Sequence, residues 1–285
     1  MSLVKAVLFG ALQGLTEFLP ISSSGHLAVF HSLVGATAEL VVPLGVIAHL
    51  GTLVAVLIYF RKELVLFARA LAPSALCAPF RKLSLLYALM PERGEEGSVF
   101  HQRLLAMIAV GTIPAGIAGL LFKDAIEQAF SRVTVVGAMF FVTAALLLLT
   151  KVFREGERTV WHFWLFSVLF IGAAQAVAIM PGISRSGATI AAGLFIGLRR
   201  EFAARFSFLL SIPAIMGASL LERGEIAHVL STQGALETSL VFLSAFAVGY
   251  ASIALLLRIV GRGKLHLFGF YCLAAGAVTL LLACA

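Results

Sequence analysis

Six stretches of the chain, approximately 40–60, 104–122, 133–150, 206–221, 240–257 and 265–285, are each long and apolar enough to cross a lipid bilayer. Such a crossing takes about 20 mostly apolar residues in a helix. Only helices satisfy every backbone polar group within one segment in lipid, so the chain reads as an all-α polytopic membrane protein. Composition agrees: 61% of residues are hydrophobic and 12% charged, where a soluble domain carries about 25% charged residues. Disordered, collagen-like and disulfide-scaffold classes are excluded by the same figures. The three cysteines, Cys77, Cys272 and Cys284, match no metal or redox spacing and read as apolar filler.

The net charge of +7 does not mark a nucleic-acid binder, because the bases sit in short clusters between the apolar runs. Clusters of that kind set orientation and meet anionic lipid head groups. Arg61, Lys62, Arg69, Arg81, Lys82, Arg93 and Arg103 place 61–103 inside the cell, with Lys151, Arg154 and Arg158 and then Arg258, Arg262 and Lys264 on the same side. The loops 123–132 and 222–239 are poorer in bases and belong outside. Within 61–103, Leu64–Leu76 reads as an interfacial segment and the remainder as a solvated loop. Lys5 is a lone base and Glu17 interrupts the first apolar run, so no secretory leader is expected there.

Two further apolar regions, 1–34 and 160–198, are broken in the middle. At a constant offset of 162, Gly10, Ala11, Gln13, Ile21, Ser22, Ser24 and Gly25 fall on Gly172, Ala173, Gln175, Ile183, Ser184, Ser186 and Gly187. The chain therefore carries an internal repeat, with halves of approximately 1–150 and 160–285 in one integral membrane domain, 1–285. The charge pattern requires each broken region to enter and leave on one face. Each half then becomes a re-entrant helical hairpin plus three transmembrane helices, and the odd number inverts the second half. Inverted repeats with broken helices form their site near the midplane, at the repeat interface.

The breaks also carry the chain's unusual polar groups. Gln13 and Glu17 are four residues apart and share a helix face, and Ser22, Ser23, Ser24 and His26 follow. A carboxylate at the bilayer centre costs about 2.5–3.5 kcal/mol on insertion scales. In the second break, Ser184-Arg185-Ser186-Gly187 opens a short helix that contains Thr189. A helix N-terminus favours an anion, and a guanidinium fork matches phosphate. Brought together, these residues offer a phosphate clamp, a hydroxyl nucleophile and two proton-transfer groups. A lipid with a phosphate or diphosphate head suits such a pocket.

Gln13–His26 and Pro181–Thr189 closely resemble the two long motifs of the undecaprenyl-diphosphate phosphatase family, the bacitracin-resistance proteins. Leu50–Leu53, Ile113–Gly116 and Phe206–Pro213 add supporting matches, so the resemblance reaches across most of the chain. It implies hydrolysis of undecaprenyl diphosphate to undecaprenyl phosphate and inorganic phosphate, at the outer (periplasmic) face of the bacterial plasma membrane. The product is the carrier lipid for peptidoglycan, which links the activity to cell-wall synthesis and bacitracin resistance. The resemblance makes Glu17, Ser23, His26 and Arg185 catalytic and assigns phosphate binding to Ser24, Ser184, Arg185, Ser186 and Thr189. It also implies a divalent cation, Mg²⁺ or Ca²⁺, with Glu17 and Gln13 as ligands.

Two positions depart from the family pattern. Gln13 stands where many members have a second glutamate, which weakens an anionic ligand pair. In Leu44–Gly51, Gly45 replaces a glutamate and His49 a glutamine, leaving open whether His49 is structural or approaches the site. Ser23 as nucleophile, Ser23 positioning a water, and His26 as phosphoryl acceptor all remain open. So does a homodimer. The rival function is a lipid flippase, since transporters use the same broken-helix architecture; a flippase needs the anion clamp but no aligned nucleophile.

Overall fold

The computed structural model describes residues 2–34, 38–71, 98–153, 156–162, 165–221, 224 and 234–284. The prolines and acidic residues of 72–97, Cys77 and most of 222–239 lie outside them. Among the described residues the regular elements are twelve α-helices and one 3₁₀ turn. The first half holds α1 (Leu3–Phe18), α2 (Ser23–Val34), α3 (Ala38–Tyr59), α4 (Arg61–Ala70), α5 (Ser98–Leu121), α6 (Lys123–Phe130) and α7 (Val133–Leu149). After the 3₁₀ turn Val160–His162 come α8 (Leu165–Val177), α9 (Arg185–Phe195), α10 (Arg200–Leu221), α11 (Ala235–Gly261) and α12 (Leu267–Cys284).

Val99–Leu121, Arg200–Leu221, Ala235–Gly261 and Leu267–Cys284 are each long and apolar enough to cross a membrane. The other two expected spans pass that test only together with a short helix bent away from them. α4 turns 70° from Leu44–Tyr59, and α6 lies at 100° to α7. The expected outside loop 123–132 is therefore mostly helix. Asp124 in its first turn and the Lys123–Glu127 pair one turn apart favour that helix locally.

Large apolar side chains cover the exterior, and a set of polar side chains is buried within the mostly apolar core. Leu120, Leu121, Phe166 and Leu281 are at least 70% exposed, while Gln13, Glu17, Thr52, Gln175, Ser207 and Ser211 are buried. An apolar exterior over polar interior positions is what a lipid solvent selects.

The two breaks are built alike. Ser22 precedes α2 and Ser184 precedes α9, and each hydroxyl accepts from the amide three residues on, Gly25 N at 3.2 Å and Gly187 N at 3.1 Å. In each, the capping hydroxyl also lies 3.2 Å from that of the next serine but one, Ser24 or Ser186. They differ in backbone: Ser22 adopts φ +67°, whereas in the second break the positive value falls on Gly182 at +96°. A side chain at positive φ is uncommon outside glycine, and Ser22 is held there by the cap it makes.

Each break is steadied by the last helix of the opposite half. Thr143 of α7 donates to the Gly182 carbonyl at 2.9 Å and accepts from Ser184 N at 3.0 Å. Cys272 of α12 donates to the Pro20 carbonyl at 3.6 Å. Cys272 thus does more than fill apolar space, although a thiol is a weak donor. The half-helices pack across the repeat as well. α1 lies mainly on α11, and α8 on α5. Gly10 makes the first crossing close, since a Cβ there would strike the Val241 carbonyl and Ser244 hydroxyl. At Gly172, 162 residues on, a Cβ would lie 2.5 Å from the Gly111 carbonyl.

Candidate active site

α1 runs down to Phe18 and the chain turns through Leu19–Ser22 before α2 begins. That turn folds Ser23 back onto Glu17. The Ser23 hydroxyl donates to Glu17 Oε2 at 2.6 Å, and Gln13 Nε2 donates to the same oxygen at 2.9 Å. Gln13 also bonds His49 Nδ1 of α3 at 3.1 Å, which brings that ring nitrogen within 3.6 Å of Glu17 Oε2. From the second break, Arg185 Nη2 donates to Glu17 Oε1. Glu17 and Arg185 are 6% and 16% exposed at the side chain, so the pair is largely withdrawn from solvent. Arg185 Nη1 is buried and has no protein partner. One nitrogen of the fork holds the carboxylate and the other has no partner among the described residues.

Glu17, Ser23, His49 and Arg185 of this cluster line a cavity of about 660 Å³. Glu17, Ser22, Ser23, Ser24, His49, Gln175, Ser184 and Arg185 line it, with apolar walls from α5 (Ala115 to Leu120) and α10 (Pro213 to Leu221). A hydroxyl hydrogen-bonded to a carboxylate, itself oriented by a guanidinium and an amide, is an activated-nucleophile arrangement. The two open helix N-termini at Ser22 and Ser184 add backbone donors and positive dipole ends.

The structure brings Glu17, Ser23, Ser24, Ser184 and Arg185 together and does not bring in three other expected residues. His26 does not line the cavity. Its Nδ1 lies 2.7 Å from the Ser22 carbonyl, its Nε2 lies 2.7 Å from the Tyr271 hydroxyl, and its ring stacks on Tyr271. A carbonyl only accepts, so Nδ1 carries the proton and Nε2 accepts from the tyrosine. Both nitrogens are thereby committed to holding the first break against α12. Thr189 donates back to the Arg185 carbonyl at 2.8 Å and meets Ser207 Oγ of α10 at 2.6 Å, so its hydroxyl faces α10. Ser186, 3% exposed, is taken up by Ser184.

Two residues gain importance. His49 joins the cluster, a position that the substitution of a family glutamine left undecided. Gln175 lines the cavity on α8 with both side-chain polar atoms buried and unpartnered. The repeat matched it to Gln13, and that match was the available signal.

For a divalent cation the donors are thin. Among the described residues Glu17 is the one carboxylate lining the cavity, and both its oxygens carry donors from Arg185, Ser23 and Gln13. Gln13 Oε1 is unpartnered, but Gln13 does not line the cavity. Among the described residues no group of three or more His, Cys, Asp or Glu could hold a metal. An oxygen cage for Mg²⁺ or Ca²⁺ needs about six ligands, so these residues do not fit a resident cation.

Comparison with known proteins covers nearly the whole chain. A family model described as bacitracin resistance protein BacA matches residues 6–278. A Desulfosudis oleivorans protein named undecaprenyl-diphosphatase is 44% identical over 97% of this chain and 97% of its own length. Proteins of the same name from Desulforapulum autotrophicum and Methanosphaera stadtmanae are 42% and 39% identical, each over 99% of this chain and 98% of their own. The two breaks, the Ser23–Glu17–Arg185 cluster and these matches agree: the chain belongs to the bacitracin resistance protein BacA family.

Proposed function

We propose that this chain is an undecaprenyl-diphosphatase. It releases inorganic phosphate from undecaprenyl diphosphate, returns undecaprenyl phosphate to cell-wall synthesis, and confers bacitracin resistance by that turnover. The observation that carries the reading is the Ser23 hydroxyl 2.6 Å from Glu17 Oε2, with Arg185 on the other carboxylate oxygen. A flippase needs no such alignment.

The terminal phosphate binds between Arg185 Nη1 and the N-terminus of α9, where Ser184 is the cap. Glu17 takes the Ser23 proton as Oγ attacks the terminal phosphorus. The Oγ–P bond forms, the bridging P–O bond breaks, and undecaprenyl phosphate leaves with both bridging electrons. Glu17 passes its proton to the departing phosphate. It then activates a water that attacks the phosphoserine, returning a proton to Oγ and releasing inorganic phosphate. Arg185 and the helix N-terminus stabilise the charge gathering on the transferring group. A divalent cation, for which the described residues form no cage, would enter with the substrate and would supply neutralisation of the diphosphate charge.

The fold reading is one membrane domain of two inverted halves, each a re-entrant hairpin and three spanning helices, in a bacterial plasma membrane with the cavity open to the outer side. The mirrored caps, the paired crossings at Gly10 and Gly172 and the reciprocal anchoring by Thr143 and Cys272 support the repeat. Cysteine labelling from each side of the membrane tests the orientation; labelling of 61–103 from outside alone would overturn it.

The activity is tested by phosphate release from undecaprenyl diphosphate in detergent micelles with Mg²⁺, for wild type, Ser23→Ala and Arg185→Ala. Release by wild type that both substitutions abolish in folded protein is expected. No release from folded wild type with any divalent cation would move the reading to a lipid-phosphate flippase.

A further inference from the structure

Gln175 is an unusual residue to find on a membrane-protein cavity wall. It is 2% exposed, and neither Oε1 nor Nε2 has a hydrogen-bond partner in the protein. Buried amides are ordinarily satisfied, because desolvating one without a partner is costly. The repeat explains how the amide comes to be free. Gln13, its counterpart, donates to Glu17 one turn ahead on the same helix face. The residue one turn ahead of Gln175 is Ile179, which accepts nothing. The second half keeps the amide and replaces its protein acceptor by an aliphatic side chain.

Its place on the wall indicates what should accept instead. The cavity lining combines Ile179 and mostly apolar side chains of α5 and α10 with the polar Glu17, Ser23 and Arg185. Gln175 lines the cavity from the last turn of α8 and Ile179 lines it from just beyond that helix, so the amide shares its wall with an aliphatic side chain. A lipid diphosphate combines matching parts: a terminal phosphate, a second phosphate, then hydrocarbon.

We propose that Gln175 forms a subsite for the lipid-proximal phosphate, its Nε2 donating to a non-bridging oxygen of the phosphate that stays on the lipid. The proposal rests on the phosphatase reading for its substrate. An uncharged donor suits this place, because that phosphate must be held before the reaction and released with the product afterwards, whereas a second guanidinium would retain the product.

The products separate the subsites, since the lipid monophosphate keeps the proximal phosphate and inorganic phosphate is the terminal one. For Gln175→Leu, KM for undecaprenyl diphosphate and the inhibition constant of undecaprenyl phosphate should rise together by about tenfold, the size of one lost hydrogen bond to a charged group. Inhibition by inorganic phosphate should not change, the loss should fall in KM rather than kcat, and the melting temperature should not drop, because an unpaired amide has been replaced by a hydrocarbon of similar size. Weakened inhibition by inorganic phosphate with unchanged inhibition by the lipid monophosphate would overturn the assignment. So would a lowered melting temperature with all constants moving together. Binding of undecaprenyl phosphate, measured directly on both proteins, needs no turnover. A wild type that binds it tightly but releases no phosphate would sink the phosphatase reading and leave the subsite standing. Equal affinity in wild type and Gln175→Leu would sink the subsite.

Discussion

The Ser23 hydroxyl donates to Glu17 Oε2 across 2.6 Å, although one residue opens a helix and the other lies near the end of the helix before it. The four-residue turn 19–22, with Ser22 at φ +67°, makes that meeting possible. The Ser23 hydroxyl and the Glu17 carboxylate therefore belong to one local motif, while the guanidinium on the other carboxylate oxygen comes from 168 residues away.

Glu17→Gln and Ser23→Ala should each lower kcat by about 10²–10⁴-fold, the range for loss of a positioned proton acceptor. Because the two act as a unit, the double variant should be little worse than either single one. Steady-state phosphate release from all three proteins measures this; losses that multiply would show that the residues act separately.

The same pair of side chains carries a stability prediction. Removing one partner of a buried ion pair costs about 3–5 kcal/mol, because the remaining charge is left uncompensated. Arg185→Met alone should lower the melting temperature sharply. Combining it with Glu17→Gln should recover most of that loss without recovering activity, as read by thermal unfolding in detergent.

His26 has both ring nitrogens engaged and lies off the cavity, so it acts through the shape of the first break. His26→Gln should leave a trapped phosphoenzyme intermediate in place, and Tyr271→Phe should mimic its modest loss of rate. An acid-labile phosphoenzyme that disappears in His26→Gln would make His26 the phosphoryl acceptor.

Because the described residues form no cage for a cation, Mg²⁺ alone should not change the melting temperature of the substrate-free protein. Chelation should act through KM for the diphosphate. A large thermal shift on adding Mg²⁺ without substrate would reveal a metal site built from the protein.

Much of this was legible in the sequence, for physical reasons that vary by residue. Apolar runs of helix-spanning length announce themselves, and so do breaks rich in Ser, Gly and Pro. The offset of 162 pairs the two breaks, and both carry the same serine cap. Glu17 and Arg185 stood out because an isolated charge in an apolar motif demands compensation. Direction was harder to read. His26 follows Ser23 by three residues, and only the Ser22 carbonyl and Tyr271 turn it away. Thr189 sits one turn beyond Arg185, yet its hydroxyl bonds back to the helix and to Ser207. His49 comes near through the packing of α3 beside α1, which no local pattern encodes. Helix α6 does not show as a helix in the sequence because eight amphipathic residues give too short a signal.

The crossed anchoring of the breaks bears on how the protein is made. The first half enters the bilayer before Thr143's target, Cys272 and Arg185 have been synthesised, so at that stage Pro20's carbonyl lacks its thiol and Glu17 lacks its counter-ion. A lone carboxylate is poorly tolerated in lipid. The contacts that close the first break and pair Glu17 can therefore form only after the second half has been made, so the buried cluster assembles late.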